Sequence, residues 1–148
     1  HCCPSGGRES ALWIELEVTV DSGACISVMP IGSCEGIDII ENEVSRNGAE
    51  YEVANGATIP NLGERRCEAM TVGSPQPKRI TFQVADVHKP LLSISGCADM
   101  GFERRFGRRA GALIDEESGE VIPLAMKGNL HILKCWLKAA PFGRQDVR

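Results

Sequence analysis

Aromatic residues are scarce in this chain: four Phe, two Trp and one Tyr among 148 residues, against sixteen Gly and eight Pro. That balance argues against long helices and favours many short strands joined by turns. Long hydrophobic runs are missing as well. No apolar stretch approaches a membrane span and no signal-peptide pattern opens the chain, so no membrane partner is expected. A basic excess is also lacking. Sixteen Lys and Arg against twenty Asp and Glu leave a net charge of −4 and a pI near 5.4, which argues against a generic nucleic-acid binder. Seven cysteines are present at 2, 3, 25, 34, 67, 97 and 135. Their number is odd, their spacing irregular, and none forms a Cys-x-x-Cys pair, so neither a disulfide framework nor a zinc site is expected. There is no phosphate-cradling glycine loop and no zinc-protease helix. The expectation is a reduced, soluble, intracellular (cytoplasmic) protein that uses no metal and no cofactor.

What is present suits one ordinary globular domain, with 43% hydrophobic and 24% charged residues. Residues 1–10 read as an N-terminal tail or linker, 11–138 as the domain, and 139–148 as a C-terminal tail. A first residue that is His rather than Met suggests a piece of a longer chain. His1, Cys2 and Cys3 are read as a chain end, with the last ligands of a truncated zinc module as the other reading.

The most informative stretch begins with Leu12, Ile14, Leu16, Val18 and Val20, between which stand Trp13, Glu15, Glu17 and Thr19. This alternation predicts a half-buried strand. The strand ends on Asp21, and Ser22, Gly23 and Ala24 let the chain turn tightly without covering the acid. Cys25 to Met29 then resumes an apolar course. On its own, Asp-Ser-Gly is also an ordinary turn.

Downstream, the chain reads as hairpins. Residues 31–47 are expected to form a loop with one short strand. Tyr51 to Ala54, Asn55-Gly56 and Ala57 to Ile59 suit a hairpin with a two-residue turn. Arg65 to Val72 predicts the next strand, and Ile80, Phe82 and Val84 mark another after the Ser74-Pro75-Gln76-Pro77 turn. Cys97 to Gly101 suits one helical turn closed by glycine. Val121 to Leu124 and Gly128 to Leu133 are strand-like pieces near the Glu117-Ser118-Gly119-Glu120 turn. The fold class is therefore mainly β.

An apolar strand, then Asp21-Ser22-Gly23-Ala24, then a second apolar segment resembles the active-site loop of the retropepsins, the retroviral-type aspartic proteases. Lys89-Pro90-Leu91-Leu92-Ser93 is similar to the protease segment of copia-type retrotransposon polyproteins, and the resemblance spans about residues 12–137. It implies an acid-protease β-barrel half with one short helix, closed as a homodimer. It implies Asp21 as the catalytic residue and Ser22, Gly23 and Ala24 as the rest of the active-site loop. The Ala54, Asn55 and Gly56 region would be a flap over a polypeptide substrate, whereas the residues alone allow a plain hairpin. Ser93 stands where glycine is usual.

The chemistry implied is hydrolysis of a peptide bond by an activated water. It needs one carboxylate as base and one protonated carboxyl to polarise the carbonyl, close together and sharing a proton. Only one Asp-Ser-Gly exists here; Asp86, Asp99 and Asp115 lack the following motif. Two copies of Asp21 would therefore meet across a two-fold axis. The expected function is an aspartic endopeptidase that processes a retroelement polyprotein. The alternatives are a catalytically inactive retropepsin-like module for dimerisation or peptide binding, and an unrelated β-rich domain with a chance turn.

Other groups have plainer readings. Cys25 is expected to be a small buried thiol rather than a nucleophile. His88 reads as a loop residue and His131 as a strand residue. Trp13 and Trp136 read as core or dimer-contact residues. Arg104, Arg105, Arg108 and Arg109 could clamp phosphates or an acidic partner, but without interleaved aromatics they read as a solvated helix end or loop.

Overall fold

The alternating run before Asp21 forms a strand, β1 (Ile14–Asp21), whose first half alternates in burial while Val18, Thr19 and Val20 are all buried. The strand is thus enclosed on both faces toward its acidic end, not half-buried throughout. The computed structural model describes residues 13–48, 50–52, 56–74, 76–107 and 110–141, leaving aside the side chains of Tyr51 and Glu52. After β1 come β2 (Val28–Met29), helix α1 (Glu43–Arg46), β3 (Glu50–Glu52), β4 (Thr58–Pro60), β5 (Gly63–Thr71), β6 (Lys78–Val84) and β7 (Leu91–Ser93). Helix α2 (Ile94–Asp99) leads to β8 (Phe102–Phe106), β9 (Gly111–Asp115), β10 (Val121–Lys127) and β11 (Leu130–Ala139).

The protein is mainly β, as the composition implied, and six of its strands form a closed barrel. Strands β1, β7, β2, β6, β5 and β11 follow one another, and β11 pairs back onto β1. The β1–β11 pairing is antiparallel from Ile14↔Leu137 to Val20↔His131. Closure removes two edges that would otherwise invite further pairing. The other side of β11 is divided, pairing with β10 near Leu130 and with β5 from Cys135 onward. Beyond β10 the sheet extends through β9 to β8 at its edge. Inside the barrel, Val18, Val20, Met29, Phe82, Leu92 and Leu137 are among the buried residues of one hydrophobic cluster.

Strand β5 directs every second residue inward, so Arg65 faces the core beside Cys67 and Ala69 and is only 2% exposed. A buried guanidinium is tolerable only when its donors are met. Arg65 Nε donates to the Ile37 carbonyl at 2.8 Å, Nη1 to that of Ser33 at 2.6 Å and Nη2 to that of Ile31 at 2.9 Å. This pins segment 31–37, which the sequence pattern leaves unplaced. The strand expected in residues 31–47 is reduced to a single bridge, Ile40↔Glu64. Asn42 then caps α1, its side chain accepting from Ser45 N–H while Ser45 Oγ accepts from Asn42 N–H. The described residues therefore contain two short helices where one was expected.

Two further expectations need correction. Strands β3 and β4 pair Glu52 with Thr58, a register that leaves an odd number of residues between partners and so does not fit a two-residue turn at Asn55-Gly56; Val53, Ala54 and Asn55 lie outside the described residues. Arg104 and Arg105 lie exposed on β8, a strand rather than a helix end or loop; Arg108 and Arg109 lie outside the described residues. Where β9 ends, Asp115 is wholly buried. Lys78 Nζ lies 3.0 Å from it, Ser74 Oγ donates to it at 2.8 Å, and the amides of Glu117 and Ser118 donate at 2.9 and 3.3 Å. Burial pushes this carboxyl upward, but Lys78, Ser74 and the two amides outweigh it and hold the acid below the usual carboxylate range.

Candidate active site

The residues that shape the site are those on either side of β7. Leu91, Leu92 and Ser93 run parallel to the end of β1, pairing Thr19↔Leu91, Val20↔Leu92 and Asp21↔Ser93. On its other side β7 pairs with β2 through Val28↔Leu91. The chain therefore leaves β1 at Asp21, passes across the end of β7, and re-enters the barrel as β2 on the opposite side. A short, small-residue segment makes that crossing possible. Ala24 N–H donates to the Asp21 carbonyl at 3.1 Å, and Gly23 N–H donates to Asp21 Oδ1 at 2.8 Å. The side-chain bond is an Asx turn that fixes the carboxylate rotamer.

Asp21 itself is half-buried, while Ser22 and Gly23 are exposed. The acid therefore sits at the protein surface with one oxygen engaged and one available. Among the described residues it makes no ion pair, and its carboxylate has no hydrogen-bond partner beyond Gly23. The other aspartates are not brought to it as partners. Asp115 is committed to Lys78, Asp99 is exposed on α2, and Asp86 is exposed after β6.

The returning end of the loop is held by hydroxyls. Ser27, 6% exposed, accepts from Ser93 N–H at 3.0 Å, and its Oγ lies 3.3 Å from Ser93 Oγ. Ser93 Oγ accepts from Gly96 N–H at 2.9 Å, capping α2, and lies 3.0 Å from Ser95 Oγ. The departure from glycine at 93 thus leaves no unsatisfied hydroxyl. Three residues on, a Cβ at Gly96 would overlap Ser27 Oγ and approach Leu92 Cδ1 to 3.0 Å. Ser27 and Gly96 escaped the sequence reading because their roles depend on a contact between segments far apart in the chain. The run of small residues at 93, 95 and 96 was the only sign.

A cleft of about 340 Å³ opens beside Ser27, with Cys25, Arg66, Arg79, Ser95 and Asp99 among its walls. Asp21 does not line it, so this cleft and the half-buried acid are separate features. Of the expected flap, Ala54 and Asn55 lie outside the described residues. Gly56 is exposed with φ +85°, and a Cβ there would meet nothing within 4 Å, so it is not packed against the Asp21 loop.

The remaining candidate groups take structural places. Cys25 is exposed rather than buried, correcting the expectation, and has no hydrogen-bond partner among the described residues. Cys34, Cys67, Cys97 and Cys135 are buried free thiols. Burial pushes Cys67 and Cys135 up to about 12 and Cys97 to about 11, so all three stay protonated and unreactive at neutral pH. His88 is exposed in a loop, and His131 on β11 packs against Phe106, with ring centroids 4.8 Å apart. Trp136 is buried on β11, and Trp13 just before β1 lies under Lys138 Nζ, 4.8 Å from its ring centroid. Among the described residues no group of three or more His, Cys, Asp or Glu is arranged to hold a metal ion, and no helix is long and apolar enough to cross a membrane.

No protein-family model, curated protein or solved structure matches the chain. The chemical reading therefore stands on the geometry of the Asp21 loop. One carboxylate with a free oxygen can orient and deprotonate a water, but polarising a carbonyl at the same time needs a second acid.

Proposed function

We propose that this chain is an aspartic endopeptidase of retropepsin type, acting as a homodimer in which two Asp21 carboxylates share one proton. The observation that carries the reading is the crossing of the Asp21 loop over β7, with Leu91 to Ser93 running between the two strands that the loop joins. That arrangement brings an acid to the surface at the end of a buried strand and fixes its rotamer by a backbone amide.

In this mechanism the charged carboxylate of one copy takes a proton from water, and the protonated carboxyl of the other polarises the scissile carbonyl. Two such acids held close together cannot both ionise cheaply, so they titrate as a coupled pair. Gly23, exposed and lacking a side chain, leaves the backbone open to an extended substrate that pairs by main-chain hydrogen bonds. A retroelement polyprotein containing this domain is the proposed substrate.

The test is peptidase activity on an unstructured protein at mildly acidic pH, comparing the unaltered chain with Asp21→Asn and adding a statine-type transition-state mimic. Activity that disappears with the substitution and is blocked by the mimic supports the protease. A folded, dimeric chain without activity would favour a peptide-binding or dimerisation module of the same fold. A folded monomer without activity would favour a β-rich domain with a chance Asp-Ser-Gly turn.

A further inference from the structure

We infer that Ser27 is a positioning residue for Asp21, locking the far end of the acid loop onto the same residue that pairs with its near end. Its consequence for catalysis rests on the protease reading above; its consequence for the loop does not. The acid loop begins where Asp21 stands opposite Ser93 in the parallel ladder. It ends at Ser27, whose Oγ accepts from Ser93 N–H at 3.0 Å and whose carbonyl accepts from Gln83 N–H at 2.9 Å. The near end of the segment that carries the carboxylate thus lies in register with Ser93, and its far end is hydrogen-bonded to the same residue.

The cluster is continuous. Ser27 Oγ receives Ser93 N–H at 3.0 Å and lies 3.3 Å from Ser93 Oγ, and either hydroxyl can donate in that pair. Ser93 Oγ also receives Gly96 N–H at 2.9 Å and lies 3.0 Å from Ser95 Oγ. The contacts run from the buried loop, where Ser27 and Ser93 are 6% and 1% exposed, to the exposed Ser95.

Gly96 completes the device. Any side chain there would displace Ser27 Oγ, so the close approach of α2 to the loop exists only because residue 96 lacks one. A loop freed at Ser27 would remain anchored at Asp21 but could shift its tip, and catalytic geometry tolerates little displacement.

The experiment compares the unaltered chain with Ser27→Ala and Ser27→Thr by amide hydrogen exchange and by steady-state kinetics, with Asp21→Asn as control. In Ser27→Ala, exchange at the Gly23 and Ala24 amides is expected to rise roughly fivefold or more while the barrel amides of β5 and β6 are unchanged. The kcat is expected to fall about tenfold with KM within about twofold. Ser27→Thr, which keeps the hydroxyl, is expected to return both toward the original values. Unchanged exchange at Gly23 and Ala24 in folded Ser27→Ala would overturn the inference, as would unchanged kcat in an enzyme that Asp21→Asn inactivates. If the unaltered chain shows no activity dependent on Asp21, the protease reading falls and exchange alone decides the role of Ser27. Should Ser27→Ala not fold, Gly96→Ala is read instead, since its methyl would displace Ser27 Oγ. A local rise in exchange at Gly23 and Ala24 is then expected, and no rise in the folded variant overturns the inference.

Discussion

Asp21 and Ser93 stand opposite each other in the parallel pairing of β1 and β7, so the half-buried acid lies beside a buried serine that also caps α2. The capping bond is the easier part to measure. Ser93→Ala and Ser93→Gly both remove the buried acceptor for Gly96 N–H, and each is expected to destabilise the fold by about 1 kcal/mol or more. Urea unfolding of the two variants tests this: no loss in either would mean that the hydroxyl is not serving as a cap.

Arg65 supports the segment that follows the acid loop. Arg65→Met keeps bulk but strips the carbonyls of Ile31, Ser33 and Ile37 of their donor, with an expected loss of about 3 kcal/mol in denaturant unfolding. Arg65→Lys is expected to recover little of it, because an ammonium cannot match three carbonyls spread around a planar fork. Full recovery by lysine would mean that charge, not geometry, holds the segment.

The buried Asp115 makes stability depend on pH. Its folded pKa is held below the ordinary carboxylate range, so the unfolded chain binds the proton more readily. Its contribution is present above the unfolded pKa of about 4 and is lost as pH falls toward the folded value. At pH 7 Asp115→Asn is expected to cost about 3 kcal/mol, since Lys78 would lose its counter-charge in a buried setting. Unfolding measured from pH 7 down to pH 3 should show the gap between the two proteins narrowing. A constant gap would contradict the assignment.

Thiol reactivity separates the cysteines. In a chain with Cys2 and Cys3 changed to serine, Cys25 is expected to react with a thiol reagent in the folded state, while Cys34, Cys67, Cys97 and Cys135 react only on unfolding. The buried thiols have folded pKa values raised above the unfolded one, so their contribution is present below about pH 8.5 and is lost as pH rises toward the folded values. Rapid native labelling of more than one cysteine would refute this burial.

Much of the strand content was legible because period-2 alternation survives wherever one face is buried, as in β5 and β6. Asp21 was legible for the same reason: an alternating apolar run that stops on an acid is a visible event. The segment around residues 31–47 was not, because its order comes from Arg65, a charged residue whose inward direction follows from its register on β5. The hairpin near Asn55 misled through its Asn-Gly pair. The register of Glu52 opposite Thr58 leaves an odd number of residues between partners, which a two-residue turn does not fit. Nor could the Ser27, Ser93 and Gly96 contact be seen, since serine and glycine carry no periodic signal and meet only after the barrel closes.

The most direct test of a shared two-copy site is to titrate the unaltered chain with Asp21→Asn chain under conditions that allow subunit exchange, and to follow peptidase activity. If each active site needs Asp21 from both copies, an equal amount of the variant should reduce activity per unaltered chain to roughly one half, and a tenfold excess to roughly one tenth. Activity that is absent from the unaltered chain, or that an excess of Asp21→Asn leaves unchanged, would contradict a homodimeric aspartic protease.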